Sequence, residues 1–239
     1  MAKNRKNYGV TYWFDEHTMH FEALRAAEVA PFGGSEIGEV TTAISQIKNG
    51  SARSWYDAFY RMAQIVDKKT QGYEDRVSKG YAYLRAHTYY RSAEFFLHGD
   101  DRRRTDTWEK QVSVFDKGLE YLKVERHKLE VPYENVILRA DYYPCKKDDG
   151  TKPLIVVCNG YDGTSEELYF TVVVPAREWG YSVLIYEGPG QGVVIRKYGM
   201  VLPMNGKNQQ GQYWIILKNS LENQIRWFCL VSALGQFWG

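Results

Sequence analysis

Cysteine is scarce in this chain: three among 239 residues, at positions 145, 158 and 229. They are too few and too scattered for a disulfide framework or a zinc site. Cys158 sits inside an apolar run and reads as a small buried hydrophobe. Neither sign of charge prevails, since 31 Lys and Arg face 29 Asp and Glu for a net +2. That balance gives no reason to expect nucleic acid, a membrane surface or a polyanion as partner. No apolar run reaches the length of a membrane span. The basic start Met1-Ala-Lys-Asn-Arg-Lys6 is not followed by an apolar stretch of signal-peptide type, so a cytoplasmic protein is expected. Histidine is confined to positions 17, 20, 87, 98 and 127. His17 and His20 stand at i, i+3 without a third ligand in view, so no metal is expected.

Aromatic residues are plentiful instead, with 19 tyrosines, 7 tryptophans and 10 phenylalanines. Trp55, Tyr56, Phe59 and Tyr60 fall at helical spacing and read as core and helix-packing surface. The other reading is a pocket lined for a ring-bearing substrate.

Two hydrophobic periods divide the chain. Residues 17 to about 125 read as helical throughout. Phe21, Leu24 and Ala27 open an amphipathic stretch that Pro31-Phe-Gly-Gly34 ends. Ser35 is placed to cap a second helix, marked by Ile37, Val40, Ile44 and Ile47, which Asn49-Gly50 stops. Ser51 precedes a third helix carrying Trp55, Phe59, Met62 and Val66. A fourth runs from about Glu74 to His98, and Trp108 to Leu122 makes a fifth. Between them, Asp100-Asp-Arg-Arg-Arg-Thr105 reads as a solvated loop.

After Lys123 the period shortens. Lys128–Val131 and Asn135–Tyr143 alternate like half-buried strands. Lys146 to Lys152 is a turn rich in Asp and Gly. Leu154–Cys158 is a continuous apolar run suited to a strand buried on both faces. Thr164-Ser-Glu-Glu167 has capping-box form and opens a helix through Glu178, which Gly180 ends. Ser182–Tyr186 is the next strand, so strand, helix and strand form a parallel, right-handed unit. The fold expected is α/β: a helical N-terminal domain (1–125), the first half of an open sheet (126–203) and a tail (204–239).

Each of the last two strands ends in a glycine-rich turn, Asn159-Gly-Tyr-Asp-Gly163 and Glu187-Gly-Pro-Gly-Gln-Gly192. Such turns at the carboxyl ends of strands form the working rim of an open α/β sheet. The second lacks the Lys-Ser/Thr of a P-loop, and its proline removes a backbone N–H. No cofactor is therefore expected.

At these loops the sequence resembles an α/β-hydrolase subfamily with a helical N-terminal domain. That group includes 2,6-dihydropseudooxynicotine hydrolase, the fermentation-respiration-switch esterase type and fungal polyketide-trimming hydrolases. Pro153 to Tyr169 and Gly180 to Gly192 carry the resemblance, and Tyr83 to Leu97 resembles the family's long helix. It spans about residues 20 to 203. The resemblance implies a serine nucleophile on a strand-to-helix elbow, followed in chain order by an acid and a histidine. It also implies an oxyanion hole with one N–H from the loop after the earlier strand, here Tyr161, with Asp162 as organiser or pocket wall. Asp162 hydrogen-bonding only its own turn is an equal alternative. Gly160, Gly163, Glu187, Gly188, Gly190 and Gly192 would shape the site. The partner implied is a small-molecule substrate, with a homodimer left open.

The nucleophile motif itself is missing, because no Gly-x-Ser-x-Gly occurs. Ser232, in Leu-Val-Ser-Ala-Leu-Gly, lacks the first glycine of the strained elbow. All five histidines precede the sheet loops. From about Met204 the resemblance also stops. Read in the frame displaced by one base, Gly211 through Leu217 permit P-V-L-D-Y-L, and Gln224 through Cys229 permit D-P-M-V-L. Leu230 through Gly235 then permit G-I-S-L-G. Three family motifs in order and in one frame point to a frameshift or a misplaced exon boundary after about Pro203. The expected product is a hydrolase fragment without nucleophile, acid or base, hence inactive on its own. A pseudo-hydrolase acting by binding is the competing expectation. The tail's apolar runs, 213–217 and 227–231, are the candidates to cover the sheet edge otherwise left open.

Overall fold

A computed structural model describes residues 12–133, 135–146, 153–160 and 163–201, together with the backbone of 228–232. The chain divides into two compact units, Met1–Val114 and Phe115–Gly239. The division falls inside the fifth helix, whereas the change of period in the sequence comes after it. None of the helices among the described residues is long and apolar enough to cross a membrane.

The first unit is helical. It holds α1 (His17–Glu28), α2 (Ile37–Ile44), α3 (Ala52–Thr70), α4 (Arg76–Glu94) and the start of α5 (Arg102–Leu122). Each of the first four starts on an oxygen-bearing side chain, which satisfies N–H groups left over at a helix start. Glu16 accepts from Thr18 and Met19, Ser51 from Ser54, and Asp75 from Ser78. For α2 the cap is Glu36, whose carboxylate accepts the Glu39 N–H. Ser35, the expected cap, is instead buried one residue earlier.

The core of this unit is aromatic. Trp55 and Phe59, one turn apart on α3, are fully buried. Phe14, Phe59 and Phe96 surround the Trp55 ring. The indole N–H donates to the Ser92 carbonyl at 2.7 Å. Ala82, Ala86 and Ala93 on α4 are buried with them, and such small side chains let helices approach closely. The core-packing reading of the first-half aromatics therefore holds for Trp55, Tyr56 and Phe59.

Three boundaries differ from expectation: α2 ends at Ile44, before Ile47 and Asn49-Gly50, and the other two lie at charged residues. α4 ends at Glu94 rather than near His98. α5 begins at Arg102, six residues before Trp108, so the Asp/Arg run is a helix start and not a loop. Asp101 accepts the Arg103 N–H at 2.9 Å, and Arg104 pairs at 3.0 Å with Glu94, which is 1% exposed. A charge run reads as solvated unless one of its members finds a buried partner. Arg104 does.

The second unit is built on a five-stranded sheet in the order β1-β2-β4-β3-β5. β1 (His127–Tyr133) and β2 (Val136–Tyr143) form an antiparallel hairpin in which Tyr133 faces Val136. Pro132 lies inside β1, which is tolerated because β1 is an edge strand. β2 runs antiparallel to β4 (Ser182–Tyr186), and β4 runs parallel to β3 (Leu154–Cys158). The parallel strand-helix-strand unit expected from the sequence is present. On the far side of β3, β5 (Phe228–Ser232) pairs parallel in full register. The apolar run that was a candidate to cover the open edge of β3 thus does cover it, while the other, 213–217, lies outside the described residues.

Between β3 and β4 the chain is helical from Ser165 to Glu178, but not uniformly. α6 (Ser165–Leu168) and α7 (Val174–Glu178) flank a π turn at Tyr169–Val173, where the Val174 N–H reaches back to the Tyr169 carbonyl. Pro175 gives the physical reason: it has no N–H to donate and its ring crowds the carbonyl four residues back. A wider turn just before it relieves that clash. Gly180 ends the segment at φ 85°, as expected.

Candidate functional site

The register of the parallel strands builds the site. Cys158 on β3 lies opposite both Tyr186 on β4 and Ser232 on β5. The carboxyl ends of three strands therefore stop level, and the turns after β3 and β4 leave the sheet at one edge. Ser232, set aside for its missing elbow glycine, stands in backbone position at that same edge. The acid and base that would complete a serine site are not supplied by these three strand ends.

Asn159 organises the first turn. Its side-chain amide donates to the Thr164 carbonyl at 2.8 Å, and its side-chain oxygen accepts the Gly160 N–H at 2.9 Å. A Cβ at position 163 would lie 2.1–2.3 Å from the Asn159 amide group, so the turn needs glycine there. Tyr161 and Asp162, the expected oxyanion-hole pair, lie outside the described residues.

Glu187 organises the second turn. It is expected to shape the site, and it is 1% exposed. One carboxylate oxygen accepts the Ser165 N–H at the start of α6, and the other accepts the Val193 N–H in the first turn of α8 (Gly192–Tyr198), each at 2.8 Å. Negative charge at a helix start is favoured, and hydrogen bonds to a charged group are the stronger kind. Gly192, at φ 36°, completes the seat: a Cβ there would approach the Glu187 carboxylate to 2.1–2.2 Å.

Gln191 joins the two turns. Its side-chain oxygen accepts the Gly188 N–H at 2.8 Å, and its amide donates to the Asn159 carbonyl. This residue was not singled out in the sequence, because a lone Gln in a glycine-rich turn has no motif value.

Beneath the turns lies a cluster of buried charge that the sequence did not reveal. Arg139 and Asp141 on β2 pair at 2.6 Å, and Arg139 also bonds Glu166 on α6. A half-buried strand, as expected for 135–143, has one wet face, and the face bearing Arg139 and Asp141 is not wet. The correction follows from packing: Glu166 of α6 lies on Arg139 and Tyr169 on Tyr143, which covers the face where Asp141 is 0% exposed. Arg139, Asp141 and Tyr143 share one face by the two-residue period of a strand. Tyr143 is also fully buried, with the Tyr169 ring tilted against it at 5.7 Å and Phe115 edge-on to Tyr169 at 5.3 Å.

Electrostatics follow from this burial. Burial pushes the carboxyls of Asp141 and Glu187 above the usual carboxylate range, more than Arg139 beside them pulls down. Burial alone would lower Arg139, but the carboxylates of Glu166, Asp141 and Glu187 outweigh it and hold the guanidinium charged. Tyr143 is raised by its burial and by Asp141. At the edge of the unit, burial of Asp116 is outweighed by Lys128 at 2.7 Å and Arg126 at 2.6 Å, and its carboxyl is lowered.

No family model matches the chain. It is 38% identical over 204 residues to the hydrolase acrC of Aspergillus aculeatus, covering 77% of this chain and 47% of that one. It is 36% identical over 189 residues to the α/β hydrolase psoB of Aspergillus fumigatus, covering 74% of this chain and 42% of that one. With the 20-hydroxy-prefusarin hydrolase FUS2 of Gibberella moniliformis the identity is 35% over 192 residues, covering 77% and 46%. The chain spans about half the length of the curated relatives it matches. The crystal structure of 2,6-dihydroxy-pseudo-oxynicotine hydrolase superposes with a TM-score of 0.67 at 16% identity, over 85% of this chain and 56% of that one. A second solved structure, AbyA5, gives 0.54 at 17% identity, over 83% and 53%. At these identities the two structures bear on fold alone.

Proposed function

Because the chain belongs to the α/β-hydrolase superfamily, we propose that it carries the helical domain and site rim of a serine hydrolase acting on a small, aromatic ester or ketone. The observation that supports this most is the level ending of β3, β4 and β5. An oxyanion hole needs one N–H from the turn after the earlier strand and one from the elbow, both about 3 Å from one oxygen. Strands adjacent and in register bring those two donors side by side. The turn after β3 would supply the first, at Tyr161, with Asp162 as organiser of the turn or wall of the pocket. The strand beside it carries the elbow.

In the whole enzyme the serine attacks the carbonyl, a histidine takes its proton and the hole holds the tetrahedral intermediate. Ester cleavage and cleavage of a carbon–carbon bond beside a ketone both pass through such an oxyanion, so these residues serve either. The chain as written is inactive under this proposal. Leu230 stands where the elbow glycine belongs, and no histidine follows the rim. The displaced frame places its G-I-S-L-G over positions 230–235, the end of the same strand. A fluorophosphonate probe tests the proposal: no labelling of this chain is expected, and a labelled serine would overturn it. Sequencing the transcript across the codons for 202–239 tests the frame, and a message that lacks the displaced motifs removes that reading.

A second reading is favoured by one observation, the complete pairing of β5 along β3, which leaves no open edge on that strand. In this reading the chain folds as it stands and acts by binding, including to a second copy. Size-exclusion chromatography with thermal circular dichroism separates the two. A monodisperse, cooperatively melting chain supports the binding module, and soluble aggregate removes it.

A further inference from the structure

We propose that Glu187 and Gln191 are positioning residues that lace the turn after β3 to the turn after β4, so that each turn holds the other's geometry. The inference rests on the hydrolase reading for its purpose, but not for its measurement.

Two separate laces run between the turns. The first passes through Gln191, which accepts from Gly188 in its own turn and donates to the Asn159 carbonyl in the other. Asn159 in turn fixes Gly160 and Thr164 through its side chain. Its side chain is committed within its own turn, so its carbonyl is the atom free to be anchored from outside. The second lace passes through Glu187, whose two oxygens divide between Ser165 and Val193, the starts of two different helices. A carboxylate has two acceptor oxygens and no donor, which is the composition this bridge requires.

Both laces close on glycines that could not be otherwise. Side chains at 163 and 192 would strike Asn159 and Glu187 respectively. The glycines of these turns therefore serve more than chain reversal: Gly163 makes room for the side chain that fixes the first turn, and Gly192 for the Glu187 carboxylate that crosses between them. A turn that presents a backbone donor to an oxyanion must not drift, since small displacements of a catalytic donor are costly. β3 ends at Cys158 and α6 begins at Ser165, so Asn159, Gly160, Gly163 and Thr164 lie outside the ladder. The laces supply that restraint from β4.

Hydrogen exchange followed by mass spectrometry on the intact chain tests this without reference to turnover. Gln191→Glu keeps the acceptor for Gly188 but has no N–H to offer Asn159, whereas Gln191→Ala loses both. Both variants are expected to speed exchange about five- to tenfold in the peptide spanning 159–165. Only Gln191→Ala is expected to do so at Gly188, and the thermal midpoint of Gln191→Glu should stay near that of the parent. Glu187→Gln can accept from only one of its two partners, and faster exchange is expected at the start of α6 or of α8. Local loosening confined to 188–193 in both Gln191 variants would overturn the first lace. Unchanged exchange at Ser165 and Val193 in Glu187→Gln would overturn the second. Labelling of the chain by a phosphonate, which would overturn the inactivity stated above, moves none of these readings.

Discussion

The two units solve the problem of burial in opposite ways. In the helical unit, large side chains fill the interior, and the ion pairs keep at least one partner in reach of water, as Arg85 with Glu39, Arg103 with Asp101 and Arg104 with the buried Glu94 do. In the sheet unit, Asp141, Glu166 and Glu187 are all nearly inaccessible around Arg139. Removing charges from water costs several kcal/mol per ion, and pairing returns that only with good geometry. An interior chosen for stability alone would resemble the first unit. The second accepts a costly interior at the place where its strands end, and there the charge ties turns rather than filling space.

The sharpest way to break this contrast is to hollow out the helical core. Trp55→Ala removes a fully buried ring and leaves the Ser92 carbonyl without its donor. The expected loss is about 3–5 kcal/mol, read by urea unfolding of the chain's helical signal.

Second in size is Gly192→Ala. It forces φ 36° on a residue with a Cβ and drives that carbon into the Glu187 carboxylate. A loss of about 1–3 kcal/mol is expected, confined to the sheet unit. Tryptophan fluorescence of the helical unit should remain unchanged at concentrations of urea that release the sheet.

The third is a pH dependence, and its sign distinguishes the interiors. Asp141 and Glu187 have folded values raised by burial. Their contribution is fully present below the unfolded carboxylate value of about 4 and fades as pH rises through the folded values. Asp141 faces Arg139, Arg126, Glu166 and Tyr143. Asp141→Asn should flatten this decline, so that thermal midpoints near pH 5 and pH 8 draw together. Asp116, lowered by Lys128 and Arg126, runs the other way and loses its contribution on acidification. Asp116→Asn should leave the neutral-pH decline in place and weaken only the acid limb.

The smallest effect is at a cap in the helical unit. Asp75→Ala removes the acceptor for the Ser78 N–H at the start of α4, and a small drop in thermal midpoint is expected. Gly50→Ala offers a control: nothing lies within 4 Å of a Cβ there, so its effect comes from φ 79° alone.

Much of this was legible beforehand, and the failures have common causes. The strands Leu154–Cys158 and Ser182–Tyr186 were readable because an inner parallel strand needs no alternation, only length and apolarity. The glycine-rich turns were readable because glycine marks backbone that other residues cannot adopt. Helix starts were harder. Glu36 rather than Ser35 caps α2, and a run of arginines opened α5, because caps depend on which neighbour faces the orphan N–H groups. The buried charge on β2 could not be seen at all. Leu138-Arg-Ala-Asp141 is the pattern of a strand with one wet face, and only the segment carrying Glu166 and Tyr169, packed on that face, decides otherwise. Gln191 was invisible for a different reason: its partner Asn159 lies 32 residues away, and only the fold makes them neighbours.

The place of β5 beside β3 has a consequence in time. Cys158 ends one strand and Phe228 begins its partner, with the intervening chain still to be made when β3 leaves the ribosome. At synthesis rates of about 5–20 residues per second, that delay is on the order of 4–14 s. Once β4 has followed, β3 can pair with it but still has nothing on its other side. Long-range parallel pairing is also slow in its own right. The nascent protein therefore passes through an interval in which a central, apolar strand has a naked edge, and its yield in the cell depends on what shields that edge until residue 232 arrives.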